Sequence, residues 1–374
     1  MFSSPIGVGR SGLAASQPQR RPHHDNCYKA QTKMQRLQLA PNYAISRVIH
    51  GGWQLASGHS TARSEDPVAD LVAFADAGIT TFDCADIYTG VEELMGGFRR
   101  RYRDLRGEHA LARIKIHTKF VPHFDVLPRI SKSYVERMID QSLRRLNQER
   151  LDLVQLHWWE YREPRWLEAA LWLDELRRTG KIDKIGGTNF DTFHMLEIVN
   201  AGVPLTCMQV QYSLLDGRPA RRMAAAAVEY GIPLLCYGTV AGGFLGDRWF
   251  GAPEPTEQLE NRSLVKYKRI IDDVGGWDLF QALLAVLRQI ADRHGTDIAT
   301  VASAAMLERT GVAAVIIGAR DSSHLASNVA ISAVALTAKD VALITGVLGE
   351  ARELEGDVYG LERNDQSGTR TPKS

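Results

Sequence analysis

At 374 residues the chain has room for two ordinary domains or for one large α/β barrel, since such barrels commonly run to about 250 residues and beyond. A formal net charge of +1 gives no global field toward nucleic acid or an acidic membrane surface. No apolar run approaches the roughly 20 residues of a membrane span.

The four cysteines, Cys27, Cys84, Cys207 and Cys236, have neither metal-ligand nor redox spacing. Three of them sit in apolar strand-like runs, which predicts buried thiols in a reducing, cytoplasmic compartment. Residues 1–33 carry Gly, Ser, Gln, Pro and Arg, no acidic residue before Asp25, and no apolar periodicity. They read as disordered, with an organelle transit peptide or a mis-assigned start before Met34 as the other possibilities. The folded part is expected over 37–362, between a leader ending at 36 and a polar, frayed tail over 363–374.

Between these ends, short β-branched runs recur at Ser46–Gly51, Thr80–Asp83, Ile114–Thr118, Leu151–Leu156, Lys184–Thr188, Met208–Val210, Pro233–Tyr237 and Ala314–Ile317. Amphipathic segments alternate with them, such as Asp70–Ala77, Ser133–Leu146, Trp166–Thr179, Thr192–Ala201 and Arg221–Tyr230. Gly78, Gly180, Gly202 and Gly231 stand just past four of these, where helix C-terminal caps belong. Eight strands with helices between them imply parallel pairing and right-handed crossovers. A closed (β/α)8 barrel of the TIM type, α/β in class, leaves no exposed edge. An open doubly wound sheet is the runner-up, disfavoured because no strand runs into a GxGxxG turn. The rhythm breaks once, at a long insertion over Gly238–Gly276 after the seventh strand. It contains Trp249, Phe250 and a short basic helix around Lys266–Ile271, and reads as a lid or as a decorated surface loop.

In such a barrel the C-terminal strand ends converge on one mouth. Those ends carry Asp83, with Tyr88 just beyond it, then Lys119, His157, Thr188 with Asn189, Gln209 and Tyr237. Each has a plain structural alternative: a core histidine at His157, a solvated charge at Lys119, a helix cap at Asn189. Four titratable groups at four strand ends of one barrel make those alternatives harder to sustain together.

The runs TTFDCADIY, IHTKF, DLVQLHWW, GGTNF, MQVQYS, LLCYGTVAGGFL and VIIGARDSSHLASN resemble, in order, the successive signatures of the aldo-keto reductase family. The resemblance covers about Ser46 to Asn328. It implies a barrel that reduces carbonyls with a nicotinamide cofactor and no metal, with Asp83, Tyr88, Lys119 and His157 as the catalytic tetrad. It further implies Thr188, Asn189 and Gln209 at the nicotinamide carboxamide and Tyr237 stacked on the ring. Gly238, Gly243 and Leu245 would lie along the cofactor, and Gly318, Ala319, Arg320, His324 and Asn328 at its adenosine end. Arg320 suits a 2′-phosphate, so NADPH is the expected cofactor; NAD stays possible because His324 stands where the family usually has arginine or glutamine. In GGTNF, Gly187 and Thr188 replace a larger residue and serine, keeping the hydroxyl.

The chemistry of that assignment follows from the groups themselves. A free phenol is a poor acid at neutral pH, and a nearby ammonium favours its phenolate. Tyr88 is thus the expected proton donor, Lys119 its activator, Asp83 the counter-charge, and His157 a hydrogen-bond donor to the substrate carbonyl. Trp53, Trp158, Trp159 and Tyr161, with Trp249 and Phe250, are expected to line the pocket. They favour an apolar or aromatic aldehyde or ketone, and no basic anchor is apparent beside them. The partner is a small molecule, not nucleic acid or membrane, and the chain a monomer or weak homo-oligomer. Two other readings stay open: a non-catalytic nicotinamide-binding regulatory subunit, and a barrel enzyme using Lys119 as a Schiff-base amine.

Overall fold

A computed structural model describes Met1 and residues 34–364, apart from 58–63, 257, 258, 260 and 261. The leader over 2–33 and the tail beyond 364 lie outside the described residues. Everything below concerns the unit from Thr32 onward.

The chain enters through a hairpin, β1 (Arg36–Ala40) and β2 (Tyr43–Ser46), closed by Pro41 and Asn42, the latter at φ 59°. Sequence periodicity joined Ser46 to the first barrel strand. The structure instead breaks at Arg47: Ser46 N donates to Thr81 Oγ1 at 3.0 Å and Ser46 Oγ to Val48 O at 2.7 Å, which turns the chain. Met34 is buried, so order begins before the expected leader boundary at 36.

Eight parallel strands then close on themselves: β3 (Val48–Gly51), β4 (Thr81–Asp83), β5 (Lys115–Phe120), β6 (Leu151–His157), β7 (Ile182–Thr188), β8 (Leu205–Gln211), β9 (Leu234–Tyr237) and β10 (Val312–Gly318). β10 pairs with β3 and β9, completing the ring, so the fold is the (β/α)8 barrel. Parallel neighbours need long crossovers, and helices supply them. These include α1 (Pro67–Asp76), α2 (Val91–Leu111), α3 (Lys132–Leu146), α4 (Trp166–Arg178), α5 (Thr192–Asn200) and α6 (Met223–Glu229). Their starts are written locally: Asp66, Ser131 and Asp191 each cap a first turn, accepting from Ala69, Tyr134 and His194 N–H.

Strand alternation puts every second residue into the lumen. Its lower end is filled by Ile49, Leu153, Cys207, Leu235, Ala314 and Ile316, against which Tyr43 and Ile45 of the hairpin pack, fully buried. The hairpin is therefore a plug at the strand-start end. That leaves the C-terminal mouth as the open face.

After β9 the insertion forms α7 (Arg262–Val274), longer than the expected basic helix. α8 (Gly276–His294) and α9 (Ile298–Leu307) follow before β10. α9 has no polar face to betray it, since nine of its ten residues are buried. α10 (Leu325–Ala330) and α11 (Ala338–Leu348) follow β10. The last helix, α12 (Gly360–Asn364), contains Arg363, inside the stretch expected to fray. Among the described residues no single helix is long and apolar enough to cross a membrane.

Candidate active site

The mouth is built from strand ends. Asp83 at the end of β4 and Lys119 on β5 meet as a buried ion pair, Nζ to Oδ2 at 2.5 Å, and Lys119 also donates to Cys84 O at 2.8 Å. The other Asp83 oxygen accepts from Gln155 Nε2 at 3.1 Å and Gln209 Nε2 at 2.6 Å. Burial alone would lower the Lys119 pKa, but Asp83 and then Tyr88 hold it above the ordinary lysine value. The ammonium stands 5.0 Å from the centre of the Tyr88 ring. Burial raises the Tyr88 pKa and Lys119 offsets part of that rise, so the phenol stays protonated beside a fixed cation. The activation expected of Lys119 is present, but desolvation outweighs it.

His157, at the end of β6, is buried and held neutral. Burial, then the charge of Arg363, lowers its pKa to about 3. Its Nδ1 lies 3.3 Å from Thr188 O, and a carbonyl only accepts, so the proton belongs on Nδ1. Nε2 is then a buried acceptor without a partner. The donor role expected of His157 toward a carbonyl requires the other tautomer.

The residues expected at the nicotinamide hold one another. Thr188 Oγ1 donates to Gln209 Oε1 at 3.4 Å, so Gln209 spends both ends of its amide on Thr188 and Asp83. Tyr237 donates to Asn189 Oδ1 at 2.9 Å, and Asn189 sits at φ 62°, on the left-handed side that asparagine tolerates. Gly243 and Leu245 direct their N–H groups to Val240 O, and the Leu245 side chain is core. Gly238 and Gly242 have positive φ, and Tyr267 of α7 covers both so closely that any side chain would clash; Gly243 alone of the three faces open space. At the far end, Gly318 is covered by Gln54, Ala319 and Asn328 are buried, and Arg320 and His324 are exposed. A cleft of about 200 Å³ opens beside Arg320, lined by Gln54, Ser57, Ser64 and Thr89 among others. The amides of Ser322 and Ser323 are already capped by Asp70 and Asp321, and Arg320 is the charged donor that lines the cleft. An exposed arginine by a polar cleft, an open Gly243 and a half-buried Tyr237 fit a dinucleotide laid across the mouth. Among the described residues no cluster of metal-ligating side chains occurs.

The aromatic wall is smaller than expected. Trp53 stands edge-on to Tyr88 at 4.8 Å, and Trp159 edge-on to His157 at 4.4 Å with its N–H on Pro122 O. Trp158 is different. It follows inward-facing His157 in a strand end, so alternation turns it outward into the helix layer, fully buried, with its N–H on Glu160 O and Glu163 O. It is a core residue. Trp249 likewise packs with Phe244 and Trp277 on the insertion's own side, and Phe250 is exposed.

A family profile described as the aldo/keto reductase family matches residues 47–348. The chain belongs to that family. It is 27% identical over 286 residues to a chloroplastic pyridoxal reductase of Arabidopsis thaliana, covering 72% of this chain and 74% of that one. It is 29% identical over 310 residues to flagellar radial spoke protein 5 of Chlamydomonas reinhardtii, covering 64% of this chain but only 57% of that longer protein. Among solved structures, a glycerol dehydrogenase from Gluconobacter oxydans superposes with a TM-score of 0.68, covering 88% of this chain and 98% of that one. At 21% identity that likeness speaks for the fold alone. Asp83, Lys119 and His157 stand on three adjacent strands, β4 to β6, of one mouth, with Tyr88 in the loop after β4.

Sequence reasoning missed what covers that mouth. Tyr359 stands edge-on to His157 at 5.6 Å and carries φ 58°. Arg363 Nη2 donates to Trp158 O at 2.9 Å and Asn189 O at 2.8 Å. Glu362 meets Arg218 at 3.4 Å and Lys266 of α7 at 3.8 Å. A helix of five residues leaves almost no periodic signal, and nothing local ties it to strands some 170–200 positions away.

Proposed function

We propose that this chain reduces an aldehyde or ketone to an alcohol with NADPH, taking the proton from Tyr88. The observation that carries this is the buried Asp83–Lys119 pair at 2.5 Å with its ammonium 5.0 Å from the Tyr88 ring. A bound nicotinamide would supply the hydride. Tyr88, protonated at neutral pH, gives its proton to the oxygen that gains charge, and Lys119 stabilises the phenolate left behind. Asp83 keeps the ammonium fixed and compensated, with Gln155 and Gln209 satisfying its second oxygen. In the tautomer with its proton on Nε2, His157 orients the carbonyl, and Trp159 packs edge-on against the imidazole.

The same pair argues against Lys119 as a Schiff-base nucleophile. An attacking amine must be neutral, and Asp83 and Tyr88 hold this one as ammonium. A non-catalytic role draws only on the radial spoke relative's name. The buried free thiols Cys84, Cys207 and Cys236 support a reducing, cytoplasmic location.

The test is NADPH consumption over a chemically varied carbonyl panel; saturable cofactor binding with no turnover on any member would favour the regulatory reading. Arg320→Ala tests the cofactor choice. Loss of a charged contact to a 2′-phosphate is expected to cost about 1.5–3 kcal/mol in NADPH binding and far less in NADH binding. Equal weakening of both in a fluorescence titration would remove Arg320 from that role.

A further inference from the structure

Arg363 is a cation at the mouth that the reaction scheme does not use. Its position is fixed twice. Nη2 bridges the carbonyl oxygens just past β6 and β7, and the guanidinium lies between two rings, 4.1 Å from the centre of Tyr161 and 5.2 Å from that of Tyr359. Tyr161 is itself braced by stacking on His194 at 3.4 Å, with its hydroxyl accepting from Asp191 N. Tyr359 leans on His157. The charge is thus set down next to the imidazole that faces the reacting carbonyl, close enough to help keep that ring neutral.

Among the described residues the guanidinium has no anion. Its Nε and Nη1 are buried without a hydrogen-bond partner, and among the described residues no carboxylate lies within ion-pair distance. The nearby acids are committed elsewhere: Glu362 to Arg218 and Lys266, Asp357 to the amides of Thr192 and Val358, Asp191 to His194. Donors buried without partners are costly, and that cost falls when an anion accepts from Nε or Nη1.

The geometry points to Arg363 as the residue that reads a carboxylate on the substrate. The substrate class is then a carbonyl acid, with the aldehyde or ketone at Tyr88 and His157 and the carboxylate at Arg363. This rests on the carbonyl-reductase reading above and replaces the expectation of a pocket without a basic anchor. Trp159, edge-on to His157, still offers an apolar face to the carbon skeleton between the two ends.

The test compares 4-carboxybenzaldehyde with its methyl ester, which has the same ring and reacting group but no charge. kcat/KM is measured for wild type, Arg363→Lys and Arg363→Met, and binding of the acid is followed in parallel by calorimetry. The acid-to-ester ratio is expected to favour the acid in wild type and to fall about ten- to a hundredfold in Arg363→Met, mainly through KM, with Arg363→Lys between. A wild-type ratio near one, or a ratio unmoved by Arg363→Met, overturns the proposal and leaves Arg363 as an anchor for α12. If neither aldehyde is reduced but the acid binds wild type and not Arg363→Met, the carboxylate site stands and the reductase reading falls. If the ester is reduced and the acid does not bind, the reverse holds.

Discussion

Lys119 and His117 are neighbours on the same face of β5, two residues apart in one lumen, and the barrel treats them in opposite ways. Lys119, nearer the mouth, keeps its charge because Asp83, Cys84 O and Tyr88 surround it. His117, one layer down, is buried with both ring nitrogens unpartnered, its ring 6.1 Å from that of Tyr43, whose hydroxyl has no partner either. The charge is spent where chemistry needs it, and the layer below stays uncharged. Here the organised charge pair sits at the mouth, and the buried histidine directly beneath it stays neutral.

The largest effect should come from breaking the upper layer at its reacting atom. Tyr88→Phe removes the hydroxyl and keeps the ring against Trp53, so turnover is expected to fall about 10²–10⁴-fold while NADPH binding stays near wild type. Retention of more than about a tenth of the rate would put the proton donor elsewhere. Next comes Asp83→Ala, which leaves the Lys119 ammonium buried without its counter-charge. Unfolding free energy measured in urea at pH 7 should drop by about 3–5 kcal/mol. A loss below 1 kcal/mol would mean that water reaches Lys119. Gln155→Leu is milder. It withdraws one of two amide donors from Asp83 but also removes the unpartnered Oε1, for an expected loss of about 1–2 kcal/mol.

The upper layer was legible from the chain because strand ends announce themselves. β-branched runs stop at Asp83, Lys119, His157, Thr188 and Gln209, and closure of eight strands brings those stops together. Legibility failed where the signal was a matter of one residue or of none. Trp158 follows His157, and alternation sends adjacent residues to opposite faces. The hairpin plug runs into the first barrel strand with only Arg47 between them. Its Pro41–Asn42 turn, flanked by Leu37, Leu39, Tyr43 and Ile45, was the clue available. α9 is too uniformly apolar to show a helical face. Tyr359 and Arg363 reach the mouth from a segment whose neighbours in sequence say nothing about strands β6 and β7. Such long-range returns depend on tertiary packing that no local pattern encodes.

The smallest effect tests the lower layer, and it is a slope. Burial, with Lys119 and Lys115 adding to it, lowers the His117 pKa to about 3; burial lowers His50 to about 4, and His157 lies at about 3. Their unfolded value is about 6.5. Below that value the unfolded chain takes up protons that the folded chain refuses, so stability falls as pH drops. Above about 6.5 the full contribution is present. Each histidine can remove up to about 1.4 kcal/mol per pH unit between 6.5 and its folded pKa. His117→Leu replaces the ring by an apolar side chain of similar size and removes two unpartnered nitrogens, so stability at pH 7.5 should change little or rise. Its decline between pH 6 and 4.5 should be shallower than wild type by about one histidine's share, close to a third of the histidine-driven slope. Urea unfolding at a series of pH values reads this directly. An unchanged slope would show that His117 takes up its proton in the folded protein, and the lumen would then hold a second charge under Lys119, against the contrast between the two layers.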